Sequence, residues 1–173
     1  GMYGITLWLP QMLRKLTHAD DFTIGWLNAL PFLAAALSMV AIGWHSDFRG
    51  ERRWHVVFSM LLAALGCVLA ASTDKAALAL LAFSLAAIGV WSVMGPFWAW
   101  ATSFLDGVAA ALGIALINSV GNIGGFLGPY LMGWLKQKTA GYEAGLTALM
   151  CILLAGGLTA LAVRANQNCG REI

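Results

Sequence analysis

The chain has 173 residues, of which 60% are hydrophobic and only 10% charged, with a mean hydropathy of +0.78. Soluble domains carry about 25% charged residues, so this composition excludes a water-coated globule, and a net charge of +2 without a basic run interleaved with aromatics excludes a nucleic-acid surface. Cys67, Cys151 and Cys169 form neither a close pair nor a metal-ligand spacing, so the sequence predicts no disulfide, no metal and no cofactor.

Taken in order, the first apolar run covers residues 1–13 and ends at Arg14 and Lys15. At 1.5 Å per residue it reaches about 20 Å, short of a hydrocarbon core of roughly 30 Å. It also lacks the basic start and cleavage site of a signal peptide. The chain is therefore expected to be a fragment that starts inside or just before a membrane helix. A polar turn leads to the second run, 22–44, and then to a charged stretch, 43–53, which holds Arg49, Arg52 and Arg53 and is expected to be a compact turn in water. The third run, 54–71, closes at Ser72, Thr73, Asp74 and Lys75. The fourth, 76–104, carries Gly95 and Pro96 and should kink there. Asp106 and Gly107 interrupt the chain before a glycine-rich fifth run, 108–135. After a polar loop comes the sixth, 144–163, and a hydrophilic tail, 165–173.

Six apolar runs joined by short turns predict an all-α transmembrane bundle, since a membrane β-barrel shows segments of roughly ten alternating residues. The lipid bilayer is its first partner. Two sets of three helices fit the inverted repeats of many transporters, although the halves share no visible identity. Alternating spans place Arg49, Arg52, Arg53, Arg164 and Arg171 on one side and Arg14, Lys15, Lys75, Lys136 and Lys138 on the other. With five on each side, the positive-inside rule selects neither orientation.

Every carboxylate lies in or beside a turn, so a buried proton relay is not expected in these residues. The groups at depth are neutral. Asn118 and Asn122 in the fifth run are four apart, and Gly125 is seven from Asn118, so the three share a helix face. Near midplane, two amides can hold hydroxyl or carboxylate oxygens, or they can tie neighbouring helices together. Gly121 with Gly125 and Gly124 with Gly128 form overlapping small-residue pairs that allow a close partner backbone, and Pro129 frees the Gly125 carbonyl so that the helix can bend. In the fourth run Trp91, Gly95, Trp98 and Thr102 share a face. Trp98 and Trp100 suit an interfacial belt, whereas Trp91 is deep enough to pack on a ligand or in the core. Tyr3 shares a face with Thr6 and Pro10, and Asn28 precedes Pro31 by three residues; each can line a cavity. His45 and His55 read as interfacial residues, and His18 as a loop residue.

The stretch 43–53 resembles the loop signature of the major facilitator superfamily, G-x-x-x-D-[RK]-x-G-[RK]-[RK]. Gly43, Asp47, Gly50 and Arg52 stand in register, while Phe48 and Glu51 replace two basic positions. Asp47 lies at a helix C-terminus, where the macrodipole disfavours an anion, so something must compensate it; Arg49, Arg52 and Arg53, or the N-terminus of another helix, can do so. The turn then acts as a conformational latch, or else as a solvated topological loop. Residues 3–11, 43–55 and 117–136 together look like the C-terminal half of bacterial anion:cation symporters of the tartrate, phthalate and hydroxyphenylacetate type.

That resemblance implies helices seven to twelve of a twelve-helix permease in the bacterial inner membrane. The 43–53 loop and the C-terminus would be cytoplasmic, and a missing six-helix N-terminal half would carry the charged coupling residues. It also implies symport of a small organic carboxylate with protons by alternating access. Substrate contacts would map onto Tyr3, Asn28, Trp91, Trp98, Asn118 and Asn122. The alternatives are a drug or metabolite exporter of the same superfamily, and a structural membrane subunit or intramembrane enzyme. An enzyme needs a nucleophile and base or metal ligands at depth, and the sequence offers none.

Overall fold

The computed structural model describes residues 2–17, 19–105 and 107–163. His18, Asp106, Cys169, Arg164, Arg171 and the tail 165–173 lie outside the described residues, as does half of the break expected at Asp106 and Gly107. All regular structure described is helical: α1 (Met2–Thr17), α2 (Asp21–Arg49), α3 (Arg53–Ala71), α4 (Ala76–Ser92), α5 (Met94–Thr102), α6 (Gly107–Thr139) and α7 (Glu143–Ala162). A chain this apolar must satisfy its backbone groups without water, and helices do so within each segment. With α4 and α5 taken as one rod, five rods are long and apolar enough to cross a membrane. Exposed aromatics mark their ends: Phe22 and Trp26 near one end of α2, and Trp44, Phe48 and Trp54 around the corner at its other end. This is where amphipathic rings favour a headgroup layer.

The boundaries follow local chemistry. Asp20 caps α2, its carboxylate accepting from the Thr23 hydroxyl at 2.6 Å and from the Thr23 amide at 3.4 Å. Gly50 ends the helix in the left-handed region with φ of 64°, its N–H donating to the Asp47 carbonyl, a conformation that favours glycine. The stretch expected as a polar turn is therefore mostly helix, and only residues 50–52 form the connection between α2 and α3. The first helix likewise runs past Leu13, through Arg14 and Lys15, to Thr17. The fourth rod is interrupted at Val93. Pro96 has no N–H to give the Ser92 carbonyl and its ring crowds the preceding turn, while Val93 keeps helical torsions of −61° and −33°, which makes a kink rather than a loop.

The best-packed part is the layer formed by α3 between α4 and α7, with α2 against the other side of α4. Its tightest seam joins α3 to α4. A Cβ added at Gly66 would stand 2.7 Å from Ala86 Cα and 2.8 Å from the Ala82 carbonyl oxygen, and one at Gly89 would stand 2.5 Å from the Ser59 carbonyl oxygen. Backbone meets backbone there, and Ala63, Cys67, Ala79 and Ala86 are fully buried beside it. The α1 side chains Leu9 and Leu13 complete this core together with Leu149 of α7. Helix α6 packs differently: of its 33 residues only Met132 is buried.

Candidate functional site

The side chains singled out from the sequence fall into three groups. The first is on α1 and α6. The Tyr3 ring lies against Gly125, where an added Cβ would come within 3.0 Å of it, so glycine at 125 makes the room the ring occupies. Asn122 and Asn118 sit one and two turns earlier on α6, and both are exposed. Neither makes a side-chain hydrogen bond to another described residue. Among the described residues they tie this helix to no neighbour. The close backbone approach expected at Gly121, Gly124 and Gly128 is not made among the described residues, where nothing lies within 4 Å of a Cβ at any of the three. The tightest meetings of two helix backbones are instead at Gly66 and Gly89.

Pro129 leaves α6 unbroken, and its carbonyl accepts the Trp8 indole N–H at 3.3 Å. Trp8 also packs edge-on against Tyr142, with ring centroids 6.0 Å apart. The Lys136 ammonium lies 4.9 Å from the Trp8 ring and 4.6 Å from that of Tyr142, and donates to Gln11 Oε1 at 3.2 Å. This cluster closes one end of the seam between α1 and α6, and sequence reasoning did not anticipate it. The available signal was a tryptophan and a lysine at matching ends of the first and fifth runs.

The second group lies between α2 and α4. Asn28 is half-buried, and its Oδ1 is buried without a hydrogen-bond partner among the described residues. One turn on, Phe32 meets Trp91 edge-to-face, with centroids 6.4 Å apart. Further along, the Ser38 and Ser92 hydroxyls lie 2.9 Å apart, and Ser38 donates to the Ala35 carbonyl, so Ser92 is the donor between them. Asn28 and Trp91 therefore belong to one seam. Trp98 stands apart from them, packed on Phe97. A groove of about 620 Å³ between α3 and α4, lined by Leu69, Ser72, Leu81 and Ile88 among others, includes none of these candidates.

The third group is the corner between α2 and α3. Arg52 pairs with Asp47 at 3.2 Å, which offsets the carboxylate at the negative end of α2. Asp47 is 68% exposed, so the pair contributes no more than about 1 kcal/mol and is readily remade. Arg53 does not serve Asp47: its guanidinium donates to the Ala160 and Leu161 carbonyls at the end of α7, satisfying acceptors that a helix end leaves open. Arg49 is exposed and joins neither of the two ion pairs among the described residues. Gly43 has open space around it, though a Cβ at Gly95 of α5 would come within 3.9 Å of Gly43 Cα. The Ser46 hydroxyl, fully buried, donates to the Glu51 carbonyl at 3.1 Å, and His45 Nδ1 lies 2.7 Å from His55 Nε2.

Residues 1–168 match the profile of the Major Facilitator Superfamily. Two Agrobacterium vitis proteins, both provisionally named as tartrate transporters, are 38% identical over 99% of this chain and 39% identical over 93%. An Acinetobacter baumannii protein named as a quinolone resistance transporter is 35% identical over 90% of the chain. The chain spans 40%, 36% and 36% of the length of these three relatives.

Proposed function

From the premise that the chain belongs to the Major Facilitator Superfamily, we propose that it forms one six-helix half of a secondary transporter that carries a small organic carboxylate together with protons. One observation carries this reading. Over residues 118–128, helix α6 leaves two asparagines, three open glycines and large apolar side chains such as Val120, Phe126 and Leu127 uncovered around most of its circumference. A helix exposed with that mixture suits neither lipid alone nor water alone, because an amide in hydrocarbon without a partner costs several kcal/mol. It suits a second half that encloses a polar cavity against it. The naming of two relatives as tartrate transporters supports a carboxylate as cargo, and uncharged amide donors at Asn118 and Asn122 suit its oxygens and hydroxyls.

In this reading Tyr3, Asn28 and Trp91 line the same cavity from α1, α2 and α4, with Trp98 toward its mouth. The charged coupling residues lie in the other half, and the Asp47–Arg52 corner is the cytoplasmic latch that opens and closes as the halves rock in the inner membrane. The relative named for quinolone resistance favours a second reading, an exporter of larger amphipathic compounds.

Uptake of radiolabelled tartrate and related hydroxy acids by proteoliposomes containing the full-length protein separates the two readings. Asn118→Ala should raise the half-saturating concentration about 3- to 10-fold, equivalent to one lost hydrogen bond of about 0.5–1.5 kcal/mol, while the amount of protein inserted stays constant. Unchanged affinity and rate would remove Asn118 from the site. Quinolone extrusion without acid uptake would replace the symporter by the exporter.

A further inference from the structure

At the α2–α3 corner two imidazoles face each other across a three-residue connection: His45 Nδ1 and His55 Nε2 are 2.7 Å apart, with ring centroids at 5.0 Å. At that distance one proton, and only one, lies between the two nitrogens. In the neutral pair one ring donates and the other accepts. We propose that His45 and His55 form a single-proton binding site that ties the end of α2 to the start of α3.

The chemistry sets how many protons the tie can hold. A first added proton converts a neutral N–H···N bond into a charge-assisted one, which is shorter and stronger, so the tie tightens. That proton enters at the nitrogens outside the bond, His45 Nε2 or His55 Nδ1. The latter is buried and without a partner among the described residues. A second proton would put hydrogens on both facing nitrogens and two positive charges in touching rings, and the bond is lost. The pair therefore holds with no added proton or one, and parts with two.

The charged residues nearest the pair along the chain are Asp47 and Arg49 on α2, Glu51 and Arg52 in the connection, and Arg53 on α3. The described parts of α5 and α7 that pack at this end bring no titratable side chain. Arg53 is drawn toward the α7 carbonyls and Arg52 toward Asp47, so neither arginine is committed to the imidazoles. The Ser46 hydroxyl bond to the Glu51 carbonyl involves no titratable side chain. The imidazole pair is the cross-tie whose own bond is made through a proton that can be added to or removed. This site is independent of what the transporter carries.

The test uses full-length protein with ¹⁵N-labelled histidine in nanodiscs. A nitrogen–nitrogen scalar coupling between the two rings should be visible at neutral pH. It should persist while the pair takes up its first proton, and vanish as the second binds. Two rings that titrate independently, with no coupling at any pH, would overturn the proposal. A nitroxide placed at exposed position 48 supplies a second readout. In the otherwise native protein its mobility should rise only in the acid range where the coupling is lost. With His45→Gln, whose amide oxygen still accepts from His55 but holds no proton, mobility should stay low throughout. An identical acid-induced rise in both proteins would show that the imidazole pair does not control the corner.

Discussion

Asp20 begins α2 by giving both carboxylate oxygens to Thr23. The Thr23 hydroxyl first and its amide second hold the carboxyl below its ordinary value of 3.8, because both bonds favour the ionised form. The cap's contribution is therefore fully present above that ordinary value and is lost as pH falls through the lower folded value. Protection of the amides at the start of α2, taken relative to their intrinsic exchange rate at each pH, should accordingly be high at neutral pH and fall in strong acid. Asp20→Ala should show the low protection at every pH, and a variant indistinguishable from the parent at neutral pH would mean the cap is idle. Asp followed three residues later by Thr before an apolar run is a signature that a sequence shows openly. Arg53 is the opposite case. Its partners lie 107 and 108 residues further along the chain, so the local charge pattern points instead to Asp47, its near neighbour. The same limit hid the His45–His55 bond, since two histidines ten apart face each other only if the corner between their helices is as tight as Gly50 makes it.

Among the elements, the spans were legible because hydropathy is a local property and the bilayer fixes its length scale. The kink before Pro96 was legible for the same reason, proline acting on its own helix. What was not legible is which small residues meet. The α6 pairs Gly121–Gly125 and Gly124–Gly128 carry the small-residue spacing, whereas Gly89 has Leu85 and Val93 four residues to either side, yet among the described residues it is Gly66 and Gly89 that meet another backbone most closely. Spacing along one helix does not decide which glycines meet; that depends on where the remaining helices stand. The seam makes a quantitative demand. Gly66→Ala forces a methyl against the Ala86 backbone, which cannot swing aside like a side chain, so it should cost about 1–3 kcal/mol and lower the melting temperature of the purified protein by several degrees. Gly25→Ala is the control: it meets nothing within 4 Å and gains about 1 kcal/mol of helix propensity at most. Equal melting temperatures for the two variants would mean that α3 and α4 are not in backbone contact.

For the whole molecule, the division between a dense layer of α2, α3, α4 and α7 and a lightly held α6 matters most. The sequence disclosed the membrane bundle and the family resemblance, and the family profile covers residues 1–168. It did not disclose that Asn118 and Asn122 are left exposed beside Gly125, the position that Tyr3 of α1 covers, because exposure is a property of the assembled bundle. If another half covers that face, a cysteine at position 122 should react freely with a polar maleimide in the isolated six-helix chain. In the full-length protein it should react slowly, and added substrate should slow it further. Equal labelling in both would place Asn122 on an outer surface and withdraw the cavity from it.

The seam at Gly66 and Gly89 also bears on how such a protein is made. Its two helices are consecutive, joined by the turn at residues 72–75, so their contact closes a short loop at little entropic cost. As the chain enters a membrane, α3 and α4 can therefore zip together as a hairpin before α6 emerges, and α6 emerges with most of its surface still uncovered. Substitutions in the hairpin should be felt at insertion, as rapid degradation of newly made chains. Those on the outward face of α6 should be felt only after assembly, as a protein that is present in normal amount and does not work.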